Sequence, residues 1–348
     1  MGEDVTRLSL WFEREGKVAL RREPIPSPGV GEVLIETIAS AISPGTEMVI
    51  YRGEAPRTLA ADTVIPSLQG NFMYPLKYGY SAVGKVIGIG PGVDEDWVGK
   101  KVFSFHPHES HFLERVGQFH ELPSDISPEQ AVFLPNMETA LTLVLDGSPL
   151  PGEQVVVFGQ GIVGLLLTSI LSRFPLLITA TVDRYPLRRD FSEMVGAGLT
   201  LDPEDSRFSA RLSESFIGSG YYNGADLAYE ISGNPAALAT AIDVTGYNGR
   251  IVLGSWYGTK RVDLYLGGDF HRKRIHLITS QVSTISPCLT GRFGKPRLLA
   301  LAWEMIRQVK PSCFITHRFP VARAEEAYQF LHTRPGESIQ VLITYKEG

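Results

Sequence analysis

The residues best placed for chemistry are three glycines. Gly159, Gly161 and Gly164 stand between the apolar run QVVVF and the helical run LLLTSILSRF, so a G-x-G-x-x-G falls at a strand-to-helix junction. Such a loop can cradle a pyrophosphate. Gly159 makes the tight turn, Gly161 lets the backbone approach the phosphates, and Gly164 lets the helix pack closely on the strand. The helix N-terminus, starting with Ile162 and Val163, adds free N–H groups and a partial positive charge. Asp183 ends the next apolar run, 19 residues beyond Gly164, where a carboxylate accepts hydrogen bonds from the adenosine ribose and repels a 2′-phosphate. Arg184, Arg188 and Arg189 follow at once. A guanidinium there can stack on adenine or hold that phosphate, while a solvated helix face also explains Arg188 and Arg189. The acid favours NAD(H) over NADP(H). The competing reading of the glycines is a tight turn that holds no ligand.

A second group is HPHESH, in which His106, His108 and His111 put three imidazoles into six residues. Three imidazoles could bind a metal. On a strand, however, residues i and i+2 share a face while i+5 points away, and Pro107 removes a backbone donor. A polar loop or a substrate-contacting segment is therefore expected over a metal site. His120, His271, His276, His317 and His332 do not cluster. The two cysteines, Cys288 and Cys313, are too few for a disulfide framework or for a site of three or four thiolates.

The elements that must position these groups show in the texture of the chain. Its 348 residues suit about two domains. From Val33 to about Pro123, short β-type runs (VLIETIASAI, SAVGKVIGIG, KKVFSF) are broken by Gly and Pro, which predicts a compact, mostly antiparallel barrel or sandwich. From about Gly152, apolar strands alternate with helical stretches, the pattern of a parallel sheet covered by helices. Strands are expected at 154–158, 177–183, 199–202, 225–231, 250–255 and 276–282, enough for a complete dinucleotide fold. A Pro/Gly-rich stretch, the helical LLALAWEMIRQV and a closing β-like IQVLITY follow. With 35 Gly and 23 Pro, these residues exceed their usual share of about 12%, which argues against a helical bundle. Net charge is −5 with no block of like charge, so a small molecule is expected as partner, not nucleic acid or a membrane surface. MGEDVTRLSLWFEREGK is acidic where a secretory leader is basic, and a cytoplasmic location is expected. The most apolar stretch, 161–182, contains Arg173 and Pro175 and reads as a helix followed by a strand.

From about Glu32 to its end the chain resembles the medium-chain dehydrogenase/reductase superfamily, in which a GroES-like catalytic domain is interrupted by the nucleotide domain. The resemblance implies an α/β protein: a GroES-like β-rich catalytic domain (1–125 with 284–348) and a Rossmann domain, a doubly wound parallel six-stranded sheet (126–283). The tail ITHRFPVARAEEAYQFL is similar to the family's closing strand and helix. SAISPGTEMVIYRGEAP, FSFHPHESHF and FLPNMETALTLVLDG are most similar to the zinc-lacking branch that includes bacteriochlorophyllide a dehydrogenase. Where zinc members carry Cys-Gly-Thr-Asp, this chain has Pro44-Gly45-Thr46-Glu47, and where they carry Gly-His-Glu it has Gly79-Tyr80-Ser81. The third thiolate maps near Asn136. Tetrahedral zinc takes three protein ligands of S, N or O type, so the resemblance with these departures implies chemistry without zinc.

A phenol or imidazole must then manage the proton that accompanies hydride transfer. The expected catalytic set is Thr46, Tyr80, His106 and Glu138. Tyr80 stands at a lost ligand position, and Lys77 would lower its pKa if the two met; a packing aromatic is the alternative. Thr46 stands where zinc members relay protons. Glu47 and Glu138 are candidate carboxylates, though Glu138 could simply serve its own helix start. His106 or His108 is expected at the active-site rim. Thr139, Ser232 and Gly254 join the glycine loop as expected cofactor contacts. The connection from Tyr51 to Tyr78 carries Phe72, Met73, Tyr74 and Tyr78 and reads as a lid for a ring-bearing or apolar substrate, or as a satellite core. The implied activity is zinc-independent, NAD(P)H-dependent interconversion of a secondary alcohol and ketone. The alternatives are an enoyl or quinone reductase and a non-catalytic nucleotide-binding protein. A homodimer is implied, pairing the apolar edge IHLITSQV.

Overall fold

The computed structural model describes residues 6–62, 64–218 and 223–345; the first five residues of the segment read for a leader lie outside them. Strands β1 (Thr6–Arg14) and β2 (Lys17–Pro24) pair antiparallel in a sheet of their own. β3 (Glu32–Ile42) alternates buried and half-buried positions, then becomes wholly buried before a turn into α1 (Glu47–Tyr51). Short strands follow: β4 (Ala82–Ile89), β5 (Lys101–Ser104), β6 (His111–Arg115) and β7 (Phe119–Glu121). Ser127 and Gln130 cap the start of α2 (Pro128–Ala131) reciprocally.

After α3 (Leu134–Gly147) the texture changes to α/β. β8 (Gln154–Phe158), α4 (Ile162–Leu171), β9 (Ile178–Val182), α5 (Pro186–Met194), β10 (Leu199–Leu201), α6 (Phe208–Ser215), β11 (Ala225–Glu230), α7 (Pro235–Val244), β12 (Thr245–Leu253) and β13 (His276–Thr279) form one wound sheet with its helices. Its order is β10-β9-β8-β11-β12-β13 and every neighbouring pair is parallel. This is the doubly wound order, with the switch between β8 and β11, where dinucleotides bind. Residues of β8 are all buried, as a central parallel strand covered on both faces requires. The six expected strands are all present. β12 starts earlier than expected, at Thr245, and β13 stops at Thr279 instead of reaching 282.

α8 (Lys295–Val309) is followed by β14 (Ile315–Pro320), α9 (Ala324–Thr333) and β15 (Gln340–Thr344). β15 pairs antiparallel with β3, which completes a sheet ordered β14-β15-β3-β4-β5-β7 with β6 also on β3. The tail therefore returns to the front's sheet. The chain divides into two compact units, 1–135 with 310–348, and 136–309. The expected seams are 125/126 and 283/284; the second observed seam lies beyond 283 because α8 buries Leu298, Ala302 and Ile306 and packs on α4, within the second unit.

Among the described residues no helix is long and apolar enough to cross a membrane. The stretch 161–182 is α4 followed by β9. The connection 51–78 is largely irregular, but it is not an open lid throughout. Phe72 and Tyr78 are buried against each other, and Leu76 bridges to Phe12 of β1. Met73 is 59% exposed.

Candidate functional site

In the first unit three hydroxyls meet at the end of β3. The Tyr80 hydroxyl donates to Ser43 Oγ at 2.5 Å and lies 3.4 Å from Thr46 Oγ1. Burial pushes the Tyr80 phenol above its ordinary pKa of 10, although the hydrogen bonds with Ser43 and Thr46 pull the other way. Lys77 does not supply the expected assistance. Its ammonium is held by Glu23 at 2.9 Å and by Glu109, and it lies over the Trp11 ring.

Glu47, fully buried at the start of α1, braces this turn. One oxygen accepts from the Ser43 N–H at 2.8 Å, and the other accepts from the Tyr328 hydroxyl and faces His108 Nε2 at 3.0 Å. His108 Nδ1 meets Ser40 Oγ at 2.7 Å, and Ser40 meets the Tyr345 hydroxyl at 2.9 Å. A substituent on Gly79 (φ +131°) would strike the His108 ring at 2.9 Å, so the glycine before Tyr80 makes room for this imidazole. Neither Glu47 nor His108 reaches the surface.

His106 belongs to a different group. The segment 105–110 is not a strand, which removes the alternation argument made for its histidines. It docks on β1 through Leu10 N–H to His108 O (2.9 Å) and Ser110 N–H to Leu8 O (2.8 Å). His106 stacks on Phe112 and meets Glu109 at 3.0 Å; Glu109 also takes Arg7, Lys77 and Ser9. Burial opposes ionisation of Glu109, but His106 and Lys77 outweigh it and bring the pKa to about 2. Burial also opposes charge on His106, yet Glu109 and Glu114 raise its pKa. These partners make His106 part of a fastening between β1 and the segment before β6. Among the described residues no hydrogen bond joins it to Tyr80 or Thr46.

In the second unit the glycine loop has the geometry a pyrophosphate requires. Gly159 has φ +98°, and a Cβ there would lie 2.7 Å from Ser232 Cα; a Cβ on Gly164 would lie 2.0 Å from the Gly159 carbonyl oxygen. Gly161 caps α4, and a Cβ on it would meet only the Arg188 guanidinium, at 3.9 Å. The first-turn N–H groups, including those of Ile162 and Val163, have no carbonyl within their helix. This cradle fits a dinucleotide.

Asp183 accepts from the Gln160 N–H (2.8 Å) and the Tyr185 N–H (2.9 Å), so it fixes the glycine turn. The Arg184 and Arg188 guanidiniums both lie 4.8 Å from the Tyr185 ring centroid. Arg188 and Arg189 are mostly buried, paired with Asp183 and Asp202 respectively, and do not form a solvated face. Ser232 turns its hydroxyl and its N–H to Glu230, and Gly254 N–H donates to the Glu230 carbonyl. Glu230, fully buried at the end of β11 and also bonded by Tyr257, lacked any signal in the sequence beyond a charge closing an apolar run. Glu138 is not a helix cap. It sits inside α3, paired with Lys295 at 2.7 Å, and burial raises its pKa against that pairing. Thr139, its neighbour on α3, is half-buried.

The expected metal-ligand positions offer a poor donor set. Pro44 has no side-chain donor, the Tyr80 hydroxyl is engaged, Asn136 is no thiolate, and both His108 nitrogens are occupied. Among the described residues no three of His, Cys, Asp and Glu gather as a metal site. These residues do not match the thiolate and imidazole set of tetrahedral zinc.

A family described as zinc-binding dehydrogenase matches residues 163–291. The L-threonine 3-dehydrogenase of Pyrococcus horikoshii is 26% identical, over 92% of this chain and 93% of that protein. Among solved structures, the 2R,3R-butanediol dehydrogenase of Bacillus subtilis has a TM-score of 0.77 at 20% identity, covering 98% of this chain and all (100%) of the other. An alcohol dehydrogenase of Escherichia coli CFT073, solved with NADH, has a TM-score of 0.78 at 17% identity over 98% and 99%. These two show the fold. Sequence likeness along nearly the whole of both chains, on a β domain interrupted by a complete dinucleotide sheet, places this chain in the medium-chain dehydrogenase/reductase superfamily.

Proposed function

We propose that this protein interconverts a secondary alcohol and a ketone with NAD(H), and does so without zinc. The coarser statement, an NAD(P)-dependent oxidoreductase of alcohol dehydrogenase type, rests on the superfamily and on the glycine cradle. The observation that carries the finer one is the Ser43–Thr46–Tyr80 hydroxyl cluster, in which Tyr80 takes the position that the resemblance gives to an imidazole ligand.

A nicotinamide held by Gly159–Gly164 and Asp183 would supply or accept hydride. The chain's own residues have the proton to manage. Tyr80, kept neutral by burial, donates its proton to the carbonyl oxygen in reduction and recovers it in oxidation. Thr46, half-buried beside it, orients the same oxygen. The carboxylate of Asp183 supports NAD(H) by repelling a 2′-phosphate; Arg188 is paired with that same carboxylate at 3.7 Å, and Arg184 lies against the Tyr185 ring.

The test is a panel of secondary alcohols, vicinal diols and hydroxy acids, including L-threonine and 2R,3R-butanediol, run against enones and quinones. Turnover of an alcohol by metal-free protein, with kcat reduced about a hundredfold or more by Tyr80→Phe and less by Thr46→Val, is the expected result. Stoichiometric zinc in active protein, or full activity in both variants, would overturn it.

A further inference from the structure

Of the two hydroxyls beside Tyr80, Ser43 holds the shorter bond, 2.5 Å against 3.4 Å. Ser43 is buried and fixed through its own peptide groups: its N–H donates to Glu47 Oε1 at 2.8 Å and its carbonyl accepts from the Glu47 N–H at 2.9 Å. Glu47 cannot reach a substrate, and both its oxygens are occupied. The chain Tyr345–Ser40–His108–Glu47, joined by Tyr328, serves to hold one serine still. A hydroxyl is both donor and acceptor and can reverse its role without moving its oxygen. Gly45, two residues on from Ser43 in the same turn, is exposed, and Pro44 between them is half-buried, so solvent reaches this turn.

We propose that Ser43 is the relay that reprotonates Tyr80, positioned for that task by Glu47. The proposal rests on the reading of Tyr80 as proton donor. In the reducing direction the substrate oxygen takes the Tyr80 proton as its carbon takes hydride. The Tyr80 oxygen then takes the Ser43 proton, and the Ser43 oxygen takes one from water at the Gly45 turn, leaving hydroxide to the buffer. One O–H bond forms for each that breaks, and the protein ends unchanged. When Tyr80 carries a negative charge, Ser43 donates to it, which makes the phenolate easier to form. The charged and titratable groups facing that phenol are Glu47, Asp62 and Tyr78, and the two carboxylates act in the opposite sense.

The experiment compares Ser43→Ala, Ser43→Thr, Tyr80→Phe and wild type in two ways. The first is kcat and KM against pH with the best substrate of the panel, in H2O and D2O. The second is titration of the Tyr80 phenol in protein free of cofactor, by NMR of ring-labelled tyrosine with Tyr80→Phe as the assignment. Ser43→Ala is expected to lower kcat about tenfold to a hundredfold with KM within a few-fold, to enlarge the solvent isotope effect, and to raise the phenol titration by about one unit. Ser43→Thr is expected to restore all three. Should Ser43→Ala keep wild-type kcat and titration while Tyr80→Phe is impaired, the relay is overturned and the Tyr80 reading stands. If Tyr80→Phe is fully active, the Tyr80 reading falls and takes the relay with it. A Ser43→Ala loss that Ser43→Thr does not restore, with the titration unmoved, marks a structural role and also overturns the relay.

Discussion

Asp183 shows how one side chain can serve both a ligand and the loop that binds it. Its two oxygens receive the N–H groups of Gln160 and Tyr185, and a carboxylate has lone pairs left for two ribose hydroxyls. Replacing it with Asn turns one acceptor into a donor that faces an N–H, leaving a buried group unpaired at a cost of about 1–3 kcal/mol. Asp183→Asn is therefore expected to lower the Tm of the cofactor-free protein, and to weaken NADH in a fluorescence titration about tenfold or more. A variant that loses NADH affinity with an unchanged melt would mean that the Gln160 bond contributes nothing. The acid's place at a strand end was legible from its spacing after the glycines. Gln160 was not, because its function lies in a buried side chain that bonds Thr168 and the Gly159 carbonyl, and no spacing rule marks such a brace.

At the scale of elements, the segment before β6 fastens the β1–β2 hairpin through charge, and that makes the fastening sensitive to acid. Glu109 is depressed from an ordinary value near 4.5 to about 2. A depressed carboxyl stabilises the fold above its unfolded pKa and ceases to do so as pH falls through the folded one. The window is thus pH 4.5 down to about 2, and the amount at neutral pH is about 3 kcal/mol. His106, whose pKa is raised, adds stability below its unfolded value that is lost as pH rises through the folded one. The two effects share one contact and do not add. Urea melts of wild type and Glu109→Gln are expected to differ most near pH 6 and to converge as pH falls to about 2, the folded value. A difference that stays constant with pH would remove the charge explanation. The sequence reads HPHESH as a polar loop or a substrate-contacting segment in preference to a metal site. Its partners Arg7, Ser9 and Lys77 come from a distant strand and loop, and only the fold brings them together.

For the whole molecule, the wound sheet was legible because five of its six strands are apolar runs closed by Gly, Asp or Glu, and the tail's return was legible from its β-like ending. The seam at Val309 was not, since the periodicity of LLALAWEMIRQV announces a helix without saying which surface it covers. The pairs Glu47–His108 and Glu138–Lys295 join ordinary residue types 61 and 157 positions apart, with nothing local to announce them. One consequence of the sheet concerns assembly. β13 is its last strand, bonded to β12 on one side only, and Leu277 on it is 39% exposed. An apolar edge with unpaired backbone groups invites a second strand, and a lysine on such an edge discourages one. We propose that two copies pair along β13, in the closed two-fold manner usual for soluble homodimers. Sedimentation velocity is expected to show a dimer for wild type and a shift towards monomer for Leu277→Lys, with NADH binding by the isolated subunit retained because the glycine cradle lies at β8 and α4. A wild type that remains monomeric across the accessible concentrations would show that this edge is left open, its short length then being the protection against aggregation.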